Sequence, residues 1–104
     1  MSEEAVKSLR ETLAEGLSEA PWSMLEAHAQ RDAVILVSAD LELLDVAVAL
    51  AKDDGAAVTT WMSQGLLSKP DAVAITTYEA DGARRWPFVI VAPFVLVHER
   101  RPAT

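Results

Sequence analysis

Two histidines, a handful of carboxylates, three tryptophans and two arginine pairs are the side chains through which this chain could do chemistry. His28 and His98 have no second His and no carboxylate at a ligand spacing such as His-Glu-x-x-His. Glu26 stands two residues before His28, which points it elsewhere on a helix. Cysteine is absent, so thiol catalysis, disulfides and zinc–thiolate sites are excluded. Asp40, Glu42, Asp45, Asp53 and Asp54 could supply an acid–base pair. Asp40 and Asp54 are better placed as helix caps, however, and Glu42 and Asp45 as a solvated stripe beside a helix N-terminus, where negative charge is favoured. No nucleophile stands with a base, and the four glycines form no phosphate loop. The reading is a non-enzyme with no catalytic residue, no metal and no cofactor.

Trp22, Trp61 and Trp86 fall on apolar stripes or at a strand start, which predicts core packing over a ligand site. Arg84-Arg85 and Arg100-Arg101 could touch phosphate from a turn and a tail, but four cations are few for counterion release. Charge is uneven. Residues 1–54 hold twelve acidic and four basic side chains, residues 55–104 four acidic and five basic, and the total is −7. That balance argues against a general polyanion binder.

The elements that must position these groups follow from periodicity. The 104 residues fit a single domain, 1–104, without internal repeat or linker. Val6, Leu9, Leu13 and Leu17 predict an amphipathic helix over 3–15, ended by Gly16. Pro21 fits the first turn of a second helix with Trp22, Leu25 and Ala29 on one face; a kinked continuation of the first satisfies the same pattern. Residues 3–30 thus form an N-terminal helical region. Ala33–Val37 is a β-branched run that reads as a buried strand.

Asp40 is placed to cap a mostly apolar helix from about Leu41 to Lys52. Asp54 caps a further helix to Gln64, with Gly65 as the stop. Val58, Trp61, Met62 and Leu66 line its inner face, while Ala56, Thr59, Thr60, Ser63 and Gln64 make an outer face without charge. Leu66–Ser68 reads as a short strand. Residues 69–82 satisfy two patterns. Ser68 and Asp71 with Gly82 favour a helix, slightly ahead of the hairpin suggested by Val73, Ile75, Thr77 and Asp81-Gly82. Phe88–Val97 reads as one long strand with Pro93 at a bulge or an edge. Arg100–Thr104 reads as a frayed tail.

This order predicts an α+β fold: a small winged helix-turn-helix-like domain over 33–99, with helices packed on a short three-stranded sheet. A plain α+β sandwich is the alternative. The recognition helix of such a domain would enter DNA by an end carrying Asp53 and Asp54, which face phosphates badly. A protein–protein interaction or regulatory module is therefore the first functional reading, with nucleic acid an unfavoured partner and the protein partner unidentified. DNA binding through helix 54–64 with the Arg pairs as wing anchors is the alternative. The candidate interaction surface is Asp53, Asp54, Thr59, Thr60, Ser63, Gln64, Arg84 and Arg85.

An apolar content of 51% in so short a chain predicts surplus apolar surface. One helix is nearly all apolar, and Phe88–Val97 offers apolar groups to both faces. If helices cover one side of a small sheet, the other is bare, which predicts a homodimer. The acidic start Met1-Ser-Glu-Glu is no signal peptide, and the apolar run Trp86–Val97 is too short to span a bilayer. A soluble, cytoplasmic protein without membrane contact is expected.

From Trp22 to Glu99 the chain resembles short bacterial proteins grouped as a domain of unknown function, family number 2288. The resemblance lies in Trp22-Ser-Met-Leu25, Asp40-Leu41, Asp53-Asp54, Trp61-Met-Ser-Gln-Gly65 and Trp86-Pro-Phe-Val-Ile-Val-Ala-Pro93-Phe-Val-Leu-Val-His-Glu99. The last segment is the most specific, because Ala-Pro inside a long apolar strand is unusual. Phe94 stands where Trp is expected, and Pro87 follows Trp86. The resemblance implies a helical segment before the final strand. It brings no activity, ligand or catalytic residue with it.

Overall fold

Val34 and Leu36 point to one side of their strand and Ile35 and Val37 to the other, and each pair enters a different cluster of packed side chains. That alternation is the plan of the whole fold. The computed structural model describes residues 2–99, with side chains described from Leu9 onward. Along the chain run α1 (Ser2–Glu15), β1 (Ser18–Pro21), α2 (Trp22–Gln30), β2 (Val34–Val37), α3 (Leu43–Ala51), α4 (Gly55–Ser63), β3 (Leu67–Ser68), α5 (Ala72–Ala80), β4 (Arg85–Val91) and β5 (Phe94–His98). The strands make one sheet in the order β1-β4-β5-β2-β3. Neighbours are antiparallel except β2 and β5, which are parallel.

One face of the sheet carries Ala20, Val34, Leu36, Trp86, Val95 and Val97, packed against Trp22 and Leu25 of α2 and Ile75 and Tyr78 of α5. The other carries Val37, Leu67, Val89 and Leu96 under Leu43, Val46 and Ala47 of α3, with Leu13 of α1 and Val58 and Trp61 of α4 at its margin. Arg10 of α1 pairs with Asp45 of α3 at 2.8 Å on the surface.

The fold class is α+β as expected, but the sheet is not the short three-stranded one. Two local causes produce five strands. Pro21 disfavours the helical conformation at Ala20, so Ser18–Pro21 is extended and pairs with Arg85–Phe88, where one helical region had been expected. Phe88–Val97 is not one strand but parts of two. Ala92-Pro93, a cis peptide, forms the turn of a hairpin that pairs Val91 with Phe94 and Phe88 with Val97. With β5 parallel to β2 at the centre, the strands do not make the antiparallel sheet of a winged helix. The sheet is covered on both sides, so the bare face behind the expectation of a homodimer is filled by α2 and α5 on one side and by α1, α3 and α4 on the other.

Within residues 69–82, Ala72–Ala80 is helix. Asp71 caps α5 by accepting from the Ala74 N–H at 2.8 Å, and Ser68 belongs to β3 instead of a capping box. Val73, one member of the rival alternation, is 75% exposed. Helix α3 starts later than expected, with Glu42 and not Asp40 at its N-cap. Asp40 lies in the preceding turn, its N–H directed to Ser38 Oγ at 3.2 Å. The tail expected at 100–104 lies outside the described residues.

Candidate functional site

Asp53 and Asp54 hold the corner between α3 and α4, and the backbone gives each a separate task. Asp53 takes the left-handed conformation, φ 59°, just past the end of α3. Its N–H reaches the Leu50 carbonyl at 3.1 Å, and that of Asp54 reaches Ala49 at 2.8 Å. These are the two reversed bonds that close a helix end, normally around a glycine. Asp54 then caps α4, its carboxylate accepting from the Ala57 N–H at 3.2 Å. The far end of α4 is closed in the same way by Gly65, φ 74°, with Gly65 N–H on Met62 and Leu66 N–H on Trp61. The expected caps at Asp54 and Gly65 are both present.

The inner face of α4 is less deeply seated than its stripe predicts. No residue of α4 is fully buried. Val58 and Trp61 are half-buried, and Met62 is 54% exposed. Helix α4 packs on α3 and on β3, a two-residue edge strand too short to fill the space beside it. What remains is an open cleft of about 320 Å³. Ile35, Leu50, Val58, Met62 and Phe94 give it an apolar lining, and Asp53, Asp54 and Lys69 stand around them. Lys69 is engaged at 2.7 Å by Asp32.

The outer face of α4 is exposed and free of charge, as expected. Thr60 donates its hydroxyl to the Ala56 carbonyl, and Ser63 donates to Thr60, both at 2.9 Å. Thr59 is exposed, and Gln64 forms the C-cap. The arginines are elsewhere. Helix α4 packs beside β3 at one edge of the sheet, whereas Arg85 starts β4, which lies next to the opposite edge strand, β1. Arg85 donates to the Glu19 carbonyl at 2.9 Å. Arg84 lies over the ring of Trp86 and donates to the Glu99 carbonyl at 3.0 Å. The candidate surface therefore divides. Asp53, Asp54, Thr59, Thr60, Ser63 and Gln64 stay together on and beside α4, and Arg84 and Arg85 do not join them. Arg100-Arg101 lies outside the described residues.

Across the sheet, Trp22, Tyr78 and Trp86 meet edge to face, with centroids 5.1 Å (Trp22–Tyr78), 4.4 Å (Tyr78–Trp86) and 6.1 Å (Trp22–Trp86) apart. Both indole N–H groups are buried without an oxygen or nitrogen partner. Burial pushes the Tyr78 hydroxyl pKa above its ordinary value, Glu99 adds to the rise and Arg84 opposes it. Trp22 and Trp86 are core, as expected, whereas Trp61 is a half-buried margin residue. On this side of the molecule α5 also brings Glu79 to Glu26 of α2. A side-chain hydrogen bond between the two, with their mutual repulsion, raises the pKa of Glu79.

His98 is buried, its Nε2 2.8 Å from the Leu41 carbonyl oxygen. His28 lies 3.2 Å from Arg31. Among the described residues no group of three or more His, Asp or Glu is placed to hold a metal ion, and no helix is long and apolar enough to cross a membrane. The spacing within α4 puts Val58 and Met62 on its inner face, and nothing local in the sequence brings Ile35, Leu50 and Phe94 to a cleft with them. The available signal was the length of β3: two residues beside a four-residue strand leave part of that strand uncovered.

Comparison with known proteins agrees with this layout. A family model described as "Protein of unknown function (DUF2288)" matches residues 8–99. No curated protein matches the chain. Among solved structures, the NMR solution structure of PA1075 from Pseudomonas aeruginosa is similar to it at 35% identity. That match covers 93% of this chain and 90% of the other, with a TM-score of 0.78.

Proposed function

The chain belongs to the family of unknown function DUF2288, and from that premise we propose that it is a non-catalytic protein–protein interaction or regulatory module that works through α4. One observation carries this reading. In a chain of net charge −7, α4 is a helix without a charged side chain, and it exposes Met62 at the mouth of an open apolar cleft. Exposed apolar surface is a common mark of protein–protein contact, and the cores of such contacts are poor in charge. Met side chains suit such surfaces because they adapt to their partner.

The DNA reading loses support from the same geometry. Of its wing anchors, Arg84 and Arg85 hold backbone carbonyls toward the edge of the sheet away from α4. Two of the hydroxyls that could have read bases donate to their own helix.

The test is a photoreactive side chain placed at Met62, with a control at Met24. Met24 is 68% exposed, more than Met62, but sits on α2, away from the cleft. In living cells of the source organism, position 62 should yield a discrete crosslinked protein and position 24 should not. Equal patterns from both positions would count against α4. A nuclease-sensitive adduct at 62 would restore the nucleic-acid reading.

A further inference from the structure

We propose that the cleft beside α4 receives a cationic amphipathic segment of a partner protein: one or two large apolar side chains with Lys or Arg close by in sequence. This rests on the interaction reading above and gives the partner its chemistry. The size of the cleft, about 320 Å³, suits one or two such side chains and not a whole domain surface. Its walls, Ile35, Leu50, Val58, Met62 and Phe94, offer no hydrogen-bonding side chain. The floor therefore selects for apolar groups.

Charge complementarity selects what flanks them. Three charged residues line the cleft. Lys69 is neutralised by Asp32 at 2.7 Å. Asp53 and Asp54 remain on the α3–α4 corner. Asp54 accepts only a backbone N–H, and that bond leaves its charge in place. The local balance is therefore negative, in the half of the sequence that holds twelve of the sixteen acidic residues. A second copy of this chain would bring a further −7 to the contact. An acidic segment would be repelled at the rim, whereas a basic one would be drawn in and held near the cleft while its apolar side chains seat.

Asparagine makes a clean test of the rim. It tolerates the left-handed conformation that Asp53 adopts, and it caps a helix as well as aspartate does, which Asp54 requires. Asp53→Asn with Asp54→Asn thus removes two charges and keeps the corner. The probe is a phage-displayed library of random dodecapeptides, panned on the full chain near physiological salt. The enriched peptides are then synthesised, and their binding is mapped by amide chemical shifts.

The expected result has four parts. Enriched peptides combine large apolar residues with Lys or Arg. They shift Ile35, Leu50, Val58, Met62 and Phe94. They weaken about three- to tenfold in the double asparagine variant, as two partly exposed charges would give. They also weaken as salt rises. Peptides that shift the same amides without basic residues, and bind the double variant equally, would overturn the cationic partner and leave the docking surface standing. Shifts confined to other parts of the molecule would overturn both. If the cleft amides move with protein concentration alone, and light scattering gives twice 11.2 kDa, the occupant is a second copy and the proposal fails.

Discussion

The guanidinium carbon of Arg84 sits 3.6 Å from the ring centroid of Trp86, a residue with no exposed surface. A cation that stood in the sequence as half of a surface pair is thus a lid on the aromatic cluster. Its Nη2 ties the β4 side of the sheet to Glu99, just past β5.

Arg84→Ala should therefore destabilise the fold by about 1–3 kcal/mol, from the lost cation–π contact together with a lost charge-assisted bond to a carbonyl. Arg84→Lys should recover only part of this, because an ammonium cannot stack flat on the indole. Arg85→Ala, which removes an exposed bond, should cost less than Arg84→Ala. Urea titrations of the three variants give the order, and equal costs would refute the stacking role.

The two tryptophans that sequence treated alike should separate. Trp86→Ala empties a fully buried site and should cost about 3–5 kcal/mol. Trp61→Ala, at a half-buried margin, should cost well under that, about 1–2 kcal/mol in proportion to the area it covers. Chemical denaturation measures both.

Glu79 should make the stability of the fold depend on pH. Its pKa is raised in the folded chain by Glu26, so the protonated form is favoured by folding. The stability this contributes is complete below the ordinary value of 4.5 and is lost as pH rises through the higher folded value. Glu79→Gln keeps a donor toward Glu26 and removes the repulsion. The variant should melt higher than wild type near neutral pH, and the difference should close below the ordinary value. A lower melting temperature for the variant at neutral pH would show that the pair does not repel in solution.

Duplex DNA should not be bound. With Asp53 and Asp54 at the start of α4, and Arg84 and Arg85 toward the far edge of the sheet, no basic stripe among the described residues runs along α4 to face a phosphate backbone. Fluorescence anisotropy with random duplex at physiological salt should give no Kd tighter than about 10⁻⁶ M.

Several helices were legible in the sequence through local signatures: Asp54 and Gly65 bracket α4, and Leu9 with Leu13 marks α1. The local signal for the start of α3 points to Asp40 instead of Glu42, and the segment holding α5 satisfies a hairpin pattern nearly as well as a helical one. The sheet was not legible, because its pairing is non-local. Nothing near Ser18–Pro21 announces Arg85–Phe88 as its partner, and the same Pro93 that could mark a bulge in a long strand is the turn of a hairpin. The candidate site was half legible for the same reason. Asp53, Asp54 and the uncharged face of α4 lie within twelve residues of one another in the sequence, whereas the cleft needs Ile35 and Phe94 brought in by strand pairing. Sequence proximity also placed Arg84 and Arg85 beside each other without showing that both would be occupied by carbonyls.

The strand order has a consequence for how the chain comes into being. β1 and β2, both made early, never touch each other; the hairpin of β4 and β5 lies between them. Until that hairpin exists, β1 has no partner, and β2 has only the two residues of β3. Neither helical layer then has a sheet to rest on. Long-range pairings of this kind are slow to form, because a large loop must close before any contact compensates for it. Folding of the unit therefore waits until Phe94–His98 has been synthesised, and the growing chain carries Trp22, Leu25 and the apolar face of α3 uncovered until it arrives.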